Sequence, residues 1–371
     1  MSRLEVKAGD RLVVKVGTAS LVGADGEPEE EKLARLCRQM IQLHRDGVEV
    51  ILVSSGAIAA GLGPLGLSAR PSDIPSLQAA AAVGQGRLLS RYSHLLAQGG
   101  LVTAQLLLTR YDFMNRQHYV NARNTLDRLL ALGVVPVVNE NDTVAVDEIR
   151  FGDNDRLAAL VGNLASAKLL ALLTDAQGLH TEDPRRVPDA PLIDEVDKIT
   201  PEMEKRAGGR GSELGSGGMA SKIAAAWVAT FSGVGVVVAD ASADDVLLRI
   251  SRGENVGTFF HPRSKRASAR RLWIAFAQPP RGTVVVDAGA RRAMVSDKRS
   301  LLPVGVVDTR GAFKSGDVVD VAERTGELFA RGLVRYDSAE LKEAQGRPSA
   351  ELAGREVIHR DQLIILEGDP E

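Results

Sequence analysis

The 371-residue chain contains a single cysteine, Cys37, and no apolar run long enough to span a bilayer. One cysteine excludes an internal disulfide and a cysteine-based metal site, and it is typical of a reducing compartment. The first residues lack the apolar segment that a secretory signal requires. These features predict a cytoplasmic protein that has no membrane partner, in which Cys37 packs within a helix.

Neither acidic nor basic residues are in clear excess, because the formal net charge of the chain is only −2. No overall field therefore attracts nucleic acid or an anionic membrane. Residues 281–371 contain 14 basic and 16 acidic side chains, a poor footprint for binding RNA phosphates. A basic run lies between residues 263 and 271, and a solvated linker is its simpler interpretation.

Motifs of several enzyme classes are absent as well. There is no Gly-x-Ser-x-Gly nucleophile elbow, and Cys37 in the middle of a helix would be a poor nucleophile. The histidines are scattered and have no His or Cys partner at the spacing of metal ligands. These absences disfavour hydrolases and zinc proteins.

Apolar strands alternate with amphipathic helices over the first 240 residues. Strands are predicted at 11–16, 48–56, 101–108, 134–138, 168–174 and 234–238, and helices at 29–46, 77–98, 115–132, 156–165 and 219–231. This alternation predicts an α/β fold with an open, mainly parallel sheet sandwiched by helices. In such folds ligands bind at the carboxyl ends of the strands.

The composition changes near residue 263. Residues 263–280 are basic and contain two prolines, which is typical of a linker. Beyond them, short apolar segments alternate with glycine-containing turns, which predicts a small β-barrel. The predicted organisation is a catalytic domain over 1–262, a linker over 263–280 and a second domain over 281–371.

A lysine interrupts the first apolar strand. Lys15 lies between Val14 and Val16, and a buried ammonium group is costly unless it meets a negative group. Gly17 and Thr18 then open a turn rich in hydrogen-bond donors, which would suit an anion. The simpler alternative is a lysine on an edge strand that reaches solvent.

A glycine-rich stretch at 214–222 runs into a helix whose first turn carries Lys222. Backbone N–H groups, the helix dipole and this lysine would suit phosphate oxygens, although the stretch is not a Walker A motif. A flexible loop before an ordinary helix is the alternative.

Acidic and amide residues follow two other predicted strands. Asp175 could hold two lysines in position, reach a magnesium ion, or only cap the next turn. The polar residues at 139–142 and 153–155 suit a ligand that presents an ammonium group beside donor and acceptor oxygens. A calcium site and a solvated loop are the alternatives there.

Six motifs together match the glutamate 5-kinases in order and spacing. They are Val14–Thr18, Val53–Gly61, Val138–Asp142, Phe151–Asp155, Leu173–Asp175 and Ser216–Lys222. The chain therefore resembles this family, in which an amino-acid-kinase domain is followed by a PUA domain. The resemblance implies ATP-dependent phosphorylation of the γ-carboxylate of L-glutamate to L-glutamyl 5-phosphate, the first step of proline biosynthesis.

The resemblance also implies roles for individual residues. Lys15, Lys222 and Asp175 would be catalytic, and Asp175 would orient the two lysines. The implied ATP site consists of Lys15, Thr174, Asp175, Ser216, Gly217, Gly218, Met219, Ala220, Ser221 and Lys222. The implied substrate site consists of Ser55, Asp142 and Asn154, with Thr18, Gly56, Ala57, Asp153 and Asp155 close by. Mg²⁺ would be bound mainly through the ATP phosphates, with no metal site made by the protein.

Members of this family are commonly homo-oligomeric and inhibited by proline. Their product is an acyl phosphate prone to hydrolysis, which favours transient contact with a reductase that consumes it. Two alternatives remain open: another kinase of this fold that acts on aspartate, acetylglutamate, carbamate or a nucleoside monophosphate, and an RNA-binding protein that acts through the PUA domain.

Overall fold

The computed structural model describes residues 3–21, 29–144, 154–200, 203, 218–263, 280–352 and 354–366. Two units divide the chain, Met1–Arg266 and Ala267–Glu371. Residues 264–279 lie outside the described part, so the linker that we expect at 263–280 stays a prediction.

The first unit is built on an eight-stranded sheet in the order β3-β4-β2-β1-β5-β7-β8-β6. Its strands are β1 (Arg11–Val16), β2 (Glu49–Ser54), β3 (Thr103–Leu108), β4 (Val135–Glu140), β5 (Leu169–Thr174), β6 (Glu195–Val196), β7 (Gly235–Asp240) and β8 (Thr258–Phe260). All pairings from β3 to β7 are parallel, and β8 is antiparallel to β7. The predicted parallel sheet is thus confirmed, while β6 and β8 are additions that the sequence pattern did not reveal.

The helices of this unit agree with the predicted ones to within about three residues at each end. They are α1 (Glu30–Arg45), α2 (Ala57–Leu62), α3 (Ile74–Ala97), α4 (Arg110–Met114), α5 (Arg116–Ala131), α6 (Asp155–Leu164), α7 (Met219–Phe231) and α8 (Val246–Ser251). The short α4 and α8 were not predicted. Within the described ranges no helix combines the length and the apolar character needed to cross a membrane.

Strand β1 lies in the middle of the sheet, between β2 and β5. Leu12, Val14 and Val16 face a core that includes residues of α1, α3 and α8. Because side chains alternate along a strand, Lys15 faces the opposite side, where α6 packs against β1. Lys15 is only 3% exposed, so the alternative of an edge-strand lysine reaching solvent is wrong.

The second unit contains a five-stranded sheet in the order β10-β9-β11-β12-β13. Its elements are β9 (Gly282–Val286), α9 (Ala288–Val295), β10 (Val306–Gly311), β11 (Val318–Glu323), β12 (Leu328–Leu333), α10 (Ser338–Ala344) and β13 (Leu363–Ile365). Strand β11 runs parallel to β9, and the other pairings are antiparallel. One face of this sheet packs with α9 and α10 into a separate apolar core.

Helices α2 and α3 pack with almost no space between their backbones. A Cβ atom at Gly84 of α3 would lie 1.7 Å from the carbonyl oxygen of Ala57, and one at Gly61 of α2 would lie 1.9 Å from that of Ala80. Neither position can hold a side chain unless the helices move apart. Since α2 begins directly after β2, this contact holds α3 near the carboxyl end of that strand.

We expect Gly84→Ala to lower the midpoint of thermal unfolding, because overpacking at such a contact costs about 1–3 kcal/mol. The matched control is Gly86→Ala on the same helix, where an added Cβ meets nothing within 4 Å. There the better helix propensity of alanine should stabilise the protein by about 1 kcal/mol. Equal midpoints for the two variants would contradict the close contact between α2 and α3.

Candidate active site

Four neighbouring parallel strands, β4, β2, β1 and β5, end at the same edge of the sheet. The residues at or just beyond their ends are polar or glycine, namely Asn139, Ser54, Ser55, Gly17 and Thr174. The amino ends of α2 and α6 follow there. This edge therefore brings together several of the residues that the sequence analysis singled out.

Asp155 lies between two buried lysines. Its Oδ1 is 2.5 Å from Nζ of Lys15, and its Oδ2 is 3.3 Å from Nζ of Lys222. The aspartate side chain is fully buried, and the lysine side chains are 4% and 6% exposed. Three separate elements supply this cluster, since Lys15 is on β1, Asp155 opens α6 and Lys222 is in the first turn of α7.

The two lysines keep Asp155 ionised. Burial alone would raise the pKa of its carboxyl group, but the charges of Lys15 and Lys222 and the hydrogen bonds from Lys15 and Ser221 outweigh it and lower the pKa. The three charged side chains together carry one net positive charge. Such an excess at a helix amino end suits a phosphate group.

Asp155, and not the Asp175 of the sequence analysis, is the carboxylate that contacts the two lysines in the structure. Asp175 is exposed, and in the part of the chain that the structure describes its carboxylate accepts a hydrogen bond only from the Thr174 hydroxyl, at 3.0 Å. The physical reason is position: Asp155 opens a helix that packs against β1, whereas Asp175 follows the end of β5 into solvent. Spacing alone could not distinguish the two aspartates.

Of the glycine-rich stretch, the structure describes the residues from Gly218 onward, and Gly218 precedes the first turn of α7. Ser221 Oγ lies 2.9 Å from Asp155 Oδ2, so this turn is tied to the carboxylate that holds both lysines. Met219 and Ala220 are half-buried at the helix amino end, where N–H groups lack partners within the helix. Ser216 and Gly217 lie outside the described residues.

The turn after β1 lies against the turn after β2. Gly56 has a φ of +95°, a conformation that favours glycine, and a Cβ there would lie 3.4 Å from Cγ2 of Thr18. A Cβ at Gly17 would lie 3.8 Å from Nζ of Lys15. The Oγ of Ser55 is buried and has no hydrogen-bond partner among the described residues. An orphaned hydroxyl at this place suits a polar ligand.

Asn154 connects the ends of β2 and β4. Its Nδ2 donates to the backbone oxygen of Ser54 and to Oδ1 of Asn139, both at 2.5 Å. Asp142 follows β4 in a turn and is half-buried, whereas Asp153 lies outside the described residues. Ala57 begins α2 and is buried. The structure thus brings Ser55, Asn154 and Asp155 to one edge of the sheet together with the two lysines.

Two residues of α3 were missed by the sequence analysis. Tyr92 places its hydroxyl 3.0 Å from Oγ of Ser54, and Gln85 contacts both Asn139 and the backbone of Glu140. Both side chains are buried. A glutamine and a tyrosine within a mainly apolar helix carry no motif, and only the packing of α3 against the strand ends gives them a place in the site.

No group of three or more His, Cys, Asp or Glu side chains converges within the described ranges in a way that could hold a metal ion. Asp155, the carboxylate at the centre of the site, is already held by two ammonium groups. The arrangement is cationic on the side of α7 and rich in amide and hydroxyl groups on the side of β2 and β4.

Comparison with known proteins identifies two domain families in this chain and relatives that match nearly its whole length. Residues 10–240 match the amino acid kinase family, and residues 282–354 match the PUA domain. The glutamate 5-kinase of Citrifermentans bemidjiense is 46% identical over 368 residues, which cover 97% of this chain and 99% of that protein. Those of Caldanaerobacter subterraneus and Burkholderia thailandensis are 47% and 48% identical over 364 residues, covering 96% of this chain and 98% of each protein.

We expect the ion pairs of Asp155 with the two buried lysines to contribute to the free energy of unfolding. Asp155→Asn should destabilise the protein by about 3–5 kcal/mol at neutral pH, because it leaves two buried lysines without their anion. Since the pKa of Asp155 is lowered in the folded protein, its contribution is present above its unfolded pKa of about 3.9 and is lost as the pH falls through the folded pKa. The measurement is the free energy of unfolding of the wild type and the variant against pH.

The exposed Asp175 provides the matched control for this experiment. Asp175→Asn should change the free energy of unfolding by no more than about 0.5 kcal/mol at any pH, as surface substitutions do. A larger loss for Asp175→Asn than for Asp155→Asn would return the lysine-orienting role to Asp175.

Proposed function

We propose that this chain, which belongs to the amino acid kinase family, transfers the γ-phosphoryl group of ATP to the γ-carboxylate of L-glutamate. The product would be L-glutamyl 5-phosphate, and the reaction would be the first step of proline biosynthesis. Full-length similarity to glutamate 5-kinases supports this assignment. The structural observation that carries it is the pair of buried lysines on one carboxylate at the edge of the sheet.

The chemistry needs charge neutralisation more than proton transfer. The γ-carboxylate of glutamate titrates near 4.3 in the free amino acid side chain, so at neutral pH it is already an anionic nucleophile and no general base is required. The obstacle is its repulsion from the γ-phosphoryl group. Lys15 and Lys222, preorganised by Asp155, supply positive charge where the negative charge of the transition state develops.

We assign the ATP phosphates to the cationic side of the site. The residues that would bind them are Lys15, Lys222 and the amino end of α7 from Gly218 to Ser221, with Ser216 and Gly217 preceding it. Thr174 and Asp175, at the end of β5, would contribute to the nucleotide site. Mg²⁺ would arrive on the ATP phosphates, where it neutralises part of their charge.

We assign glutamate to the side of the site that carries hydroxyl and amide groups. Ser55, Asp142 and Asn154 would contact it, with Thr18, Gly56, Ala57, Asp153 and Asp155 nearby. The unpartnered Ser55 hydroxyl and the amide of Asn154 support this division, because a glutamate ligand presents both acceptors and donors. An in-line transfer then requires the γ-carboxylate to approach the lysine cluster from this side.

We also propose an inhibitor of this enzyme and a partner enzyme that consumes its product. Proline, which shares the α-carboxylate and amino groups of glutamate, would inhibit by competing at or beside the glutamate site. The acyl phosphate product would pass to a reductase before water hydrolyses it. We place the reaction in the cytoplasm, in keeping with one buried cysteine thiol and no disulfide.

A homo-oligomer is the proposed assembly, with a contact surface beside strand β3. Among the described strands, β3 ends the sheet order and pairs on one side only, with β4. Tyr111 on α4 and Val120 on α5, which follow β3 in the chain, are 60% and 43% exposed. Exposed apolar side chains on the helices that follow an edge strand suit contact with a second copy of the chain.

Light scattering tests the assembly. The wild type should have a mass of at least two chains, and the double variant Tyr111→Ser, Val120→Ser should shift towards one chain. Val304→Ser, at a 51% exposed residue of the second unit, is the control and should leave the mass unchanged. A monomeric wild type would contradict the proposal.

Glutamate-dependent release of ADP tests the activity. The wild type should release ADP with ATP, Mg²⁺ and glutamate, more slowly when proline is added, and much less with aspartate, acetylglutamate, carbamate or a nucleoside monophosphate. Lys222→Ala should lower kcat by about 10²–10³, the usual effect of removing one transition-state charge. Its fold should persist, because Asp155 keeps Lys15 as a partner.

Lys168→Ala is the control for this variant. Lys168 forms its ion pair with Asp10 at the opposite edge of the sheet, so its loss should leave kcat nearly unchanged. Near-normal turnover by Lys222→Ala, or a stronger response to another acceptor than to glutamate, would overturn the assignment.

A further inference from the structure

A buried chain of amide side chains links helix α3 to the site. Gln85 Nε2 donates to the backbone oxygen of Glu140 at 3.2 Å, and Gln85 Oε1 accepts from Asn139 Nδ2 at 3.0 Å. Asn139 Oδ1 in turn accepts from Asn154 Nδ2, which also donates to the backbone oxygen of Ser54. Gln85, Asn139 and Asn154 are 8%, 4% and 5% exposed.

The direction of every hydrogen bond in this chain is determined by its two ends. Backbone carbonyl groups can only accept, so Gln85 must turn its NH₂ group to Glu140 and Asn154 must turn its NH₂ group to Ser54. The backbone N–H of Glu140 donates to Asn139 Oδ1 at 2.9 Å, which excludes the flipped amide of Asn139. The chain therefore has one consistent orientation for its three amides.

This orientation leaves one defined group of Asn154 for a ligand. Both hydrogens of its Nδ2 are used, by Ser54 and by Asn139. Its Oδ1 has no partner in the part of the chain that the structure describes, and it can only accept. Glutamate ionised at neutral pH has one donor group, the α-ammonium, so this is the group that Asn154 Oδ1 would recognise.

We propose that Gln85 is a positioning residue for substrate recognition. It holds Asn139 in place, and Asn139 together with the backbone of Ser54 holds the Asn154 amide so that its Oδ1 is the acceptor for the amino group of the substrate. This inference rests on the proposed glutamate site. The hydrogen bonds of the Gln85 side chain are made with Asn139 and Glu140, so Gln85 acts on Asn154 through Asn139. The neighbouring residue, Gly84, allows the close contact of α3 with α2, and the Gln85 side chain reaches the end of β4 from the same helix.

Gln85→Met tests the proposal at nearly constant side-chain volume. Without the amide, Asn139 loses the acceptor for its NH₂ group, and the buried carbonyl of Glu140 loses a donor. We expect the KM for glutamate to rise about tenfold, which corresponds to one buried hydrogen bond. The KM for ATP should stay within about twofold, because the lysine cluster is untouched.

Recognition of the amino group gives a second readout. Glutarate has the two carboxylates of glutamate but no ammonium group, so the wild type should prefer glutamate strongly by kcat/KM. Gln85→Met should reduce this preference by about tenfold. Gln98→Met, at the exposed carboxyl end of the same helix, is the matched control and should keep both the KM for glutamate and the preference.

Gln85→Glu provides a second variant if the methionine variant does not fold. An ionised carboxylate can still accept from Asn139 but has no hydrogen for the carbonyl of Glu140, and burial raises the pKa of such a group. The ratio of its KM for glutamate to that of the wild type should therefore be well above one at pH 8 and should fall towards one near pH 6, as protonation restores the donor.

The outcomes separate this proposal from the proposed function. If the wild type releases no ADP with glutamate, the proposed function fails. If the wild type is active but Gln85→Met raises the KM values for glutamate and ATP equally or neither of them, or the Gln85→Glu ratio does not change with pH, the positioning role of Gln85 is overturned while the kinase assignment stands.

Discussion

The contact of Asp155 with Lys15 and Lys222 is the interaction on which the rest of the site depends. Desolvating three charged groups is expensive, and the cost is acceptable only where the charges meet at short range with hydrogen bonds that satisfy them. The three groups lie on the central strand β1 and at the amino ends of helices α6 and α7. Any shift of α6 or α7 relative to the sheet would separate the charges, so the fold around them has to be closely packed.

Two adjacent residues of helix α3 have different structural roles, one in helix packing and one in the hydrogen bonds of the site. Gly84 permits the backbone contact with α2, and the side chain of Gln85 reaches the end of β4. Seven residues further on, Tyr92 contacts Ser54 at the end of β2. The same helix therefore supports the apolar core on one side and the polar strand ends on another, which explains why side chains remote from the lysines still belong to the site.

Much of the fold was predictable because parallel strands buried on both faces are nearly continuous apolar runs. The strands from β1 to β7, except the two-residue β6, and the five longer predicted helices were identified to within a few residues. Strands β6 and β8 were not, since two or three residues give no readable period. Lys15 and Lys222 were recognisable from a charge within an apolar strand and a glycine-rich helix start. Asp175 was given the contact of Asp155, because Asp175 directly follows a predicted strand and spacing cannot show which aspartate faces a lysine.

The sequence by itself determined the alternation of strands and helices, the two-part organisation and the residue types gathered at the strand ends, because these depend on local periodicity and turn chemistry. The tertiary structure alone decided which carboxylate lies between the lysines and that Gln85 and Tyr92 contact the ends of β4 and β2. The reason is physical: a hydrogen bond or ion pair depends on distances of about 3 Å between residues far apart in the chain. Only the packing of α3, α6 and α7 against the sheet sets those distances.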